Sequence, residues 1–172
     1  MKTKYNILIT GVAGFLGSHL SEKLLDLGHK VVGVDNMIGG YKDNIHKDIE
    51  FHNLDCSDFS KVKKIMKNID VVYHCAATAH EGLSVFSPYE ITKNNYLASV
   101  SIFSAAINEK VKRIIFCSSM ARYGDQKTPF TEDMIPKPVD PYGISKVAAE
   151  DVLKNLCDLN NIEWVIAVPH NI

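Results

Sequence analysis

Ile7-Leu8-Ile9-Thr10-Gly11-Val12-Ala13-Gly14-Phe15-Leu16-Gly17 decides the fold. A short apolar run, Ile7 to Thr10, passes straight into three glycines that open a helical stretch, Phe15 to Leu27. On that stretch Leu16, Leu20, Leu24 and Leu27 form one stripe, and Gly28 suits a left-handed helix exit. A strand that turns on glycine into a helix N-terminus presents unpaired N–H groups and positive potential, which suits a pyrophosphate. The first glycine permits the tight turn, the second lets phosphate approach the backbone, and the third lets helix pack closely on sheet. The spacing of Gly11, Gly14 and Gly17 is G-x-x-G-x-x-G, not the commoner G-x-G-x-x-G, and simple turn glycines are the alternative reading. The position between strand and helix favours the phosphate cradle.

Outward from this stretch, short β-branched runs alternate with helical ones along the whole chain. Strands are expected at Ile7 to Thr10, Lys30 to Val34, Ile49 to Asn53, Val71 to Cys75, Lys112 to Ser118 and Glu163 to Val168. Helices are expected near Phe15 to Leu27, Ser60 to Asn68, Tyr89 to Glu109 and Tyr142 to Asn160. Strand runs that are apolar at nearly every residue imply burial on both faces. Alternation of strand and helix then calls for a parallel sheet with right-handed crossovers, an α/β doubly wound fold in one domain over residues 1–172.

The 172 residues are 46% hydrophobic and 23% charged with a net charge of -1, so no general field attracts nucleic acid. The lysine-rich spots Lys61 to Lys67 and Lys110 to Arg113 read as solvated faces. No apolar stretch approaches the roughly 20 residues of a membrane span, and the N-terminus lacks the pattern of a secretory signal. Cys56, Cys75, Cys117 and Cys157 have no C-x-x-C spacing, so buried reduced thiols in a cytoplasmic protein are expected. His19, His74, His80 and His170 lack metal-ligand spacing, and no metal is expected. His74 reads as a core residue. His80 with Glu81 reads as a loop pair or, alternatively, as pocket lining.

Asp35 ends the second strand candidate, where a carboxylate can accept from adenosine ribose hydroxyls and repel a 2′-phosphate; NAD is preferred over NADP on this reading. A loop-capping role before Asn36 is the alternative. Asp55 suits either an adenine amino group or a helix cap. Tyr142 and Lys146 stand one helical turn apart, on the same face, after Asp140 and Pro141 as N-cap and first helical residue. A lysine beside a phenol is expected to lower the tyrosine pKa toward neutrality, as a general base for an alcohol requires. Ser118-Ser119 at a strand's C-terminal end points into the crevice where open α/β sheets bind ligands. A capping role fits Ser118 better than Ser119. Arg122 and Tyr123 shape the same loop, with no definite role for Arg122.

Together, T-G-V-A-G-F-L-G-S-H-L, V-D-N-M-I-G-G, L-D-C-S-D, D-V-V-Y-H-C-A-A, the Asn95 region, C-S-S-M-A-R-Y-G, D-P-Y-G-I-S-K and V-P-H-N resemble the extended short-chain dehydrogenase/reductase family. The resemblance is closest to its NAD-dependent sugar-nucleotide epimerase/dehydratase branch, which is built on a Rossmann fold. It implies that Gly11, Gly14, Phe15, Leu16 and Gly17 cradle the NAD pyrophosphate. Asp35 and Asn36 would meet the adenosine ribose, Asp55 and Cys56 the adenine. Ala76, Ala77 and Asn95 would support the cofactor, and Pro169 and His170 would lie beside the nicotinamide. Ser119, Tyr142 and Lys146 would be the catalytic trio, with Lys146 also on the nicotinamide ribose and Asn171 turned toward the sugar nucleotide.

Dehydratases of the branch carry an Asp-Glu pair where this chain has Met120 and Ala121, so the resemblance disfavours 4,6-dehydration. It implies instead a UDP-glucose 4-epimerase-like reaction on a UDP-sugar. Tyr142 takes a hydroxyl proton while hydride passes to NAD, and hydride returns to the other face of the keto-sugar. The family also has a smaller substrate lobe beyond V-P-H-N, which residues 1–172 lack on this reading. NAD binding with weak or absent epimerase activity is therefore expected of this polypeptide alone. A non-catalytic NAD-binding module or partner subunit is the competing reading. The helices Tyr89 to Glu109 and Tyr142 to Asn160 carry apolar residues on more than one face, and by family likeness a homodimer through them is expected.

Overall fold

The computed structural model describes residues 4–170. Asn171, expected to face the sugar nucleotide, lies outside the described residues. Six parallel strands form one sheet: β1 (Asn6–Thr10), β2 (Lys30–Asp35), β3 (Glu50–Asn53), β4 (Val71–His74), β5 (Arg113–Cys117) and β6 (Glu163–Ala167). Their spatial order is β3-β2-β1-β4-β5-β6. The order reverses between β1 and β4, and at such a switch point the connections diverge to opposite sides and leave a crevice at the strands' C-terminal ends. The fold is a Rossmann-type α/β sheet.

Alternation along the strands builds two cores. Ile7, Ile9 and Val31 pack on one face with Leu24 of α1 (Phe15–Asp26). Leu8, Val32, Val72 and Ile114 face the other way. There they meet Val62 of α2 (Phe59–Ile65), Ile102 and Phe103 of α4 (Ala98–Asn108), and Leu153 of α5 (Pro141–Asn160). β6 departs from the expected two-sided burial. It is the edge strand, and its Trp164 and Val165 remain 36% and 45% exposed.

Helix ends follow local chemistry. Gly28 takes φ +84°, its N–H donates to Leu25 O and that of His29 to Leu24 O, a glycine-terminated exit that leaves Leu27 exposed rather than on the buried stripe. Asp58 caps α2 by accepting from Lys61 N–H, so this helix starts at Phe59 and stops at Ile65. Asp140 accepts from Gly143 N–H at 2.9 Å, and Pro141 occupies the first turn of α5.

The expected single helix from Tyr89 to Glu109 is instead three segments. α3 (Pro88–Ile91) leads into a π-helical turn, Thr92–Leu97, before α4 begins. Periodicity does not register such a turn, because one wider turn rotates the apolar stripe without breaking it. It holds the buried Asn95.

Candidate active site

A groove of about 300 Å³ opens at the switch point. Gly11, Gly14, Asp35, Asn36, Asp55, Cys56, Cys75, Ala76 and Ala77 all line it. Its floor requires glycine. Gly11 has φ +72°, and a Cβ on Gly17 would stand 2.1 Å from Gly11 O. Gly17 thus seats α1 beneath the turn rather than lining the groove. No side chain caps α1, and no acidic residue occupies its first turn. That end therefore keeps its positive potential for an anion, and a pyrophosphate fits it. Phe15 is exposed beside it and Leu16 half-buried.

The acidic residues hold the rim. Asp35 is buried and accepts from Ala13 N–H at 3.0 Å and Met37 N–H at 2.8 Å. It braces the loop, as its capping reading has it, and also lines the groove. Asn36 accepts from Ile38 N–H at 3.1 Å. Asp55 accepts from Ser57 N–H at 2.8 Å and pairs with Lys93 at 3.3 Å. Burial opposes its ionisation, but the Ser57 hydrogen bonds and Lys93 outweigh that and hold the carboxyl below its ordinary range. The helix cap that was one reading of Asp55 falls to Asp58.

A buried chain of hydrogen bonds, not anticipated from the sequence, supports the groove's other wall. Ala76 N–H donates to Thr10 Oγ1 at 3.1 Å, and Thr10 Oγ1 lies 2.6 Å from His74 Nδ1. His74 Nε2 lies 2.9 Å from Ser99 Oγ, which donates to Asn95 O at 2.5 Å. The Asn95 amide then clasps Thr78, accepting from its N–H at 2.7 Å and donating to its O at 3.2 Å. Asn95 therefore acts on the groove through Thr78, a lining residue. Its position in a π-helical turn aims its amide at that loop. Burial, followed by the Lys146 charge, pushes His74 down to about 3, so it is neutral. His80 lines the groove as well.

Tyr142, Lys146 and Ser119 gather at the C-terminal end of β5. Lys146 is buried, and its Nζ donates to Cys117 O at 2.8 Å and lies 5.9 Å from the Tyr142 ring centroid. Burial pulls Lys146 down to about 8 against the opposing influence of Cys117, Cys75 and Glu150. Tyr142 is buried beside Ile91 and Ala121. Its pKa moves opposite to the expectation: burial raises it, the Ser119 hydroxyl works against that, and Glu81, Asp140 and Cys117 add to the rise. One Lys146 N–H goes to the Cys117 carbonyl, and burial desolvates the phenol.

Capping, expected of Ser118, falls to Ser119, whose hydroxyl also meets the Tyr142 phenol. Ser119 caps the short helical turn Met120–Tyr123, its Oγ accepting from Ala121 N–H at 3.2 Å. Ser118 is buried and donates to Glu150. Glu150 also pairs with buried Arg122 at 3.1 Å, giving that arginine a definite role. Glu150 stands one turn beyond Lys146 on α5, a spacing the sequence already carries. Pro169 O accepts from Met120 N–H at 3.2 Å, whereas His170 is exposed. His170 lines a second cleft beside β6 with Met120 and Arg122, not the groove, because the chain leaves β6 on that side. Among the described residues no group of three or more His, Cys, Asp or Glu is placed to hold a metal ion.

The family model described as NAD dependent epimerase/dehydratase family matches residues 7–172. A putative UDP-glucose 4-epimerase of Methanocaldococcus jannaschii is 36% identical over 163 residues, covering 93% of this chain and 53% of the relative. The UDP-glucose 4-epimerase of Bacillus subtilis is 33% identical, with coverage of 94% and 50%. Among solved structures, the Thermus thermophilus UDP-glucose 4-epimerase in complex with NAD superposes with TM-score 0.90 at 31% identity. That match covers 94% of this chain and 53% of the other. The Thermotoga maritima UDP-glucose 4-epimerase with UDP-glucose gives 0.89 at 33% identity, covering 94% and 54%. The chain spans about half the length of the curated relatives it matches. With a sheet of this order, a glycine-built groove at its switch point and this match along nearly its whole length, the chain belongs to the NAD-dependent epimerase/dehydratase family.

Proposed function

We propose that the chain carries the NAD-binding and proton-transfer half of a UDP-sugar 4-epimerase that works by transient oxidation at a sugar carbon. The observation that carries this is the shared placement of Tyr142, Ser119 and Lys146 at the end of β5, beside the groove. Gly11, Gly14 and the open N-terminus of α1 would hold the NAD pyrophosphate, and Asp35 and Asn36 the ribose. Asp55 and Cys56 would meet the adenine, with Ala76, Ala77 and Asn95 closing the wall. Bound NAD supplies the hydride acceptor and donor. Tyr142 Oη exchanges the proton of the sugar hydroxyl, Ser119 Oγ orients that oxygen, and Lys146, anchored on the Cys117 carbonyl, would meet the nicotinamide ribose. Met120 and Ala121 carry no acid or base, which speaks against the dehydratase reading.

Calorimetric titration with NAD, followed by an interconversion assay on UDP-glucose and UDP-galactose, tests the proposal. NAD should bind wild type and Tyr142→Phe alike, while the substitution lowers turnover by about 10²–10⁴-fold. NAD binding without turnover in either protein would favour the non-catalytic module. A homodimer through α4 and α5 is part of the same proposal, and a monomeric sedimentation profile would remove it.

A further inference from the structure

Cys75 and Cys117 leave neighbouring strands at the same level. β4 and β5 pair in parallel with His74 opposite Phe116; Cys117 is the last residue of β5 and Cys75 the first beyond β4. Adjacent strands lie about 4.8 Å apart, within the roughly 4.4–6.8 Å Cα separation that a disulfide spans. The two Sγ atoms are 3.5 Å apart, and both thiols are free and half-buried. Cys75 also lines the groove.

Their surroundings make the two sulfurs chemically unequal. The hydrogen bond shared with Cys75 lowers the Cys117 thiol, burial opposes, and Lys146 adds to the lowering, leaving it at about 7. The same contact and burial push Cys75 far upward. The contact leaves Cys117 the more easily ionised sulfur and Cys75 the one that holds its proton more tightly. Cys56 and Cys157 differ: both are buried, and burial pushes them up to about 12 and about 11.

We propose that Cys75 and Cys117 form a reversible intrachain disulfide site, oxidised by hydrogen peroxide or another small hydroperoxide at the wall of the groove. The Cys117 thiolate attacks peroxide oxygen: an S–O bond forms, the O–O bond breaks, and the departing hydroxide takes a proton to become water. Cys75 sulfur then attacks the sulfenic sulfur: the S–S bond forms and the S–O bond breaks. The Cys75 proton leaves with the second hydroxide as water. Two thiols lose two electrons in total, and one peroxide becomes two waters. The bond ties β4 to β5 at the level where the Cys117 carbonyl holds Lys146. It does not depend on the reading of the groove as an epimerase site.

The whole chain is exposed to dilute hydrogen peroxide, quenched with catalase, unfolded, alkylated with iodoacetamide and mapped by peptide mass spectrometry. Of the four thiols, two should become protected, in a linked Cys75–Cys117 peptide pair that dithiothreitol restores. In Cys75→Ser, dimedone should label a sulfenic acid at Cys117. Cys75 and Cys117 remaining fully alkylated, peroxide acting first on Cys56 or Cys157, or a linkage between chains would each overturn the site. The wild-type map decides the matter even where the variant does not fold.

Discussion

Thr10 Oγ1 and His74 Nδ1 meet at 2.6 Å inside the sheet, across the junction of β1 and β4 where the strand order reverses. Ser99 Oγ gives its one proton to Asn95 O, so it accepts from His74 Nε2–H. That fixes the neutral Nε2–H tautomer, whose Nδ1 accepts from Thr10 Oγ1. A histidine chosen for the core thereby becomes the brace of the groove wall.

This brace makes stability pH-dependent. His74 has a folded pKa of about 3 against an ordinary 6.5, so between these values the unfolded chain binds a proton that the folded one excludes. Its contribution is complete above 6.5 and is lost as pH falls toward 3. Urea unfolding should show stability falling below pH 6.5 with a slope of up to about 1.4 kcal/mol per pH unit from this group. His74→Gln should be less stable at neutral pH and lose that part of the slope. Parallel profiles for the two proteins would contradict it.

Gly17→Ala should abolish NAD binding and destabilise the fold by about 1–3 kcal/mol or more. The added Cβ meets backbone, 2.1 Å from Gly11 O and 2.9 Å from Val12 Cα, so the turn itself must move. Gly82→Ala, with nothing within 4 Å, is the control and should leave both properties unchanged. NAD titration and urea denaturation of the two variants read the contrast.

Removing Glu150 leaves buried Arg122 and Ser118 without their shared partner. Glu150→Ala should cost about 3–5 kcal/mol in denaturant unfolding. The double variant Arg122→Met/Glu150→Leu should recover much of that loss, because it removes both charges from the interior. A double variant no more stable than Glu150→Ala would show that packing, not charge pairing, sets the cost.

Burial raises the Tyr142 phenol above its ordinary 10.0 despite the Ser119 hydroxyl. The ultraviolet difference between wild type and Tyr142→Phe in the free protein should therefore show no phenolate step below pH 10.0. A step near neutrality would mean that Lys146 reaches the phenol in solution.

Much of the scaffold was legible because it rests on short-range rules. All six strands fall within two residues of where β-branched runs place them, and α1 and α5 begin where glycine and Asp140-Pro141 say they should. The glycine turn was legible for the same reason, since a strand feeding a helix through Gly11 and Gly17 admits few geometries. The π-helical turn at Thr92–Leu97 was not, because a single wider turn leaves no mark in an apolar period.

Residue order alone determined the alternating elements, the parallel sheet they imply and the residue types gathered along its C-terminal edge, since local backbone preference and apolar spacing act within a few positions. Tertiary structure alone decided which serine caps and which meets Glu150, that Lys146 anchors on the Cys117 carbonyl, and that the Tyr142 pKa rises rather than falls. The reason is physical. Desolvation and hydrogen-bond competition depend on what packs around a group, and those neighbours come from strands and helices far away in the chain.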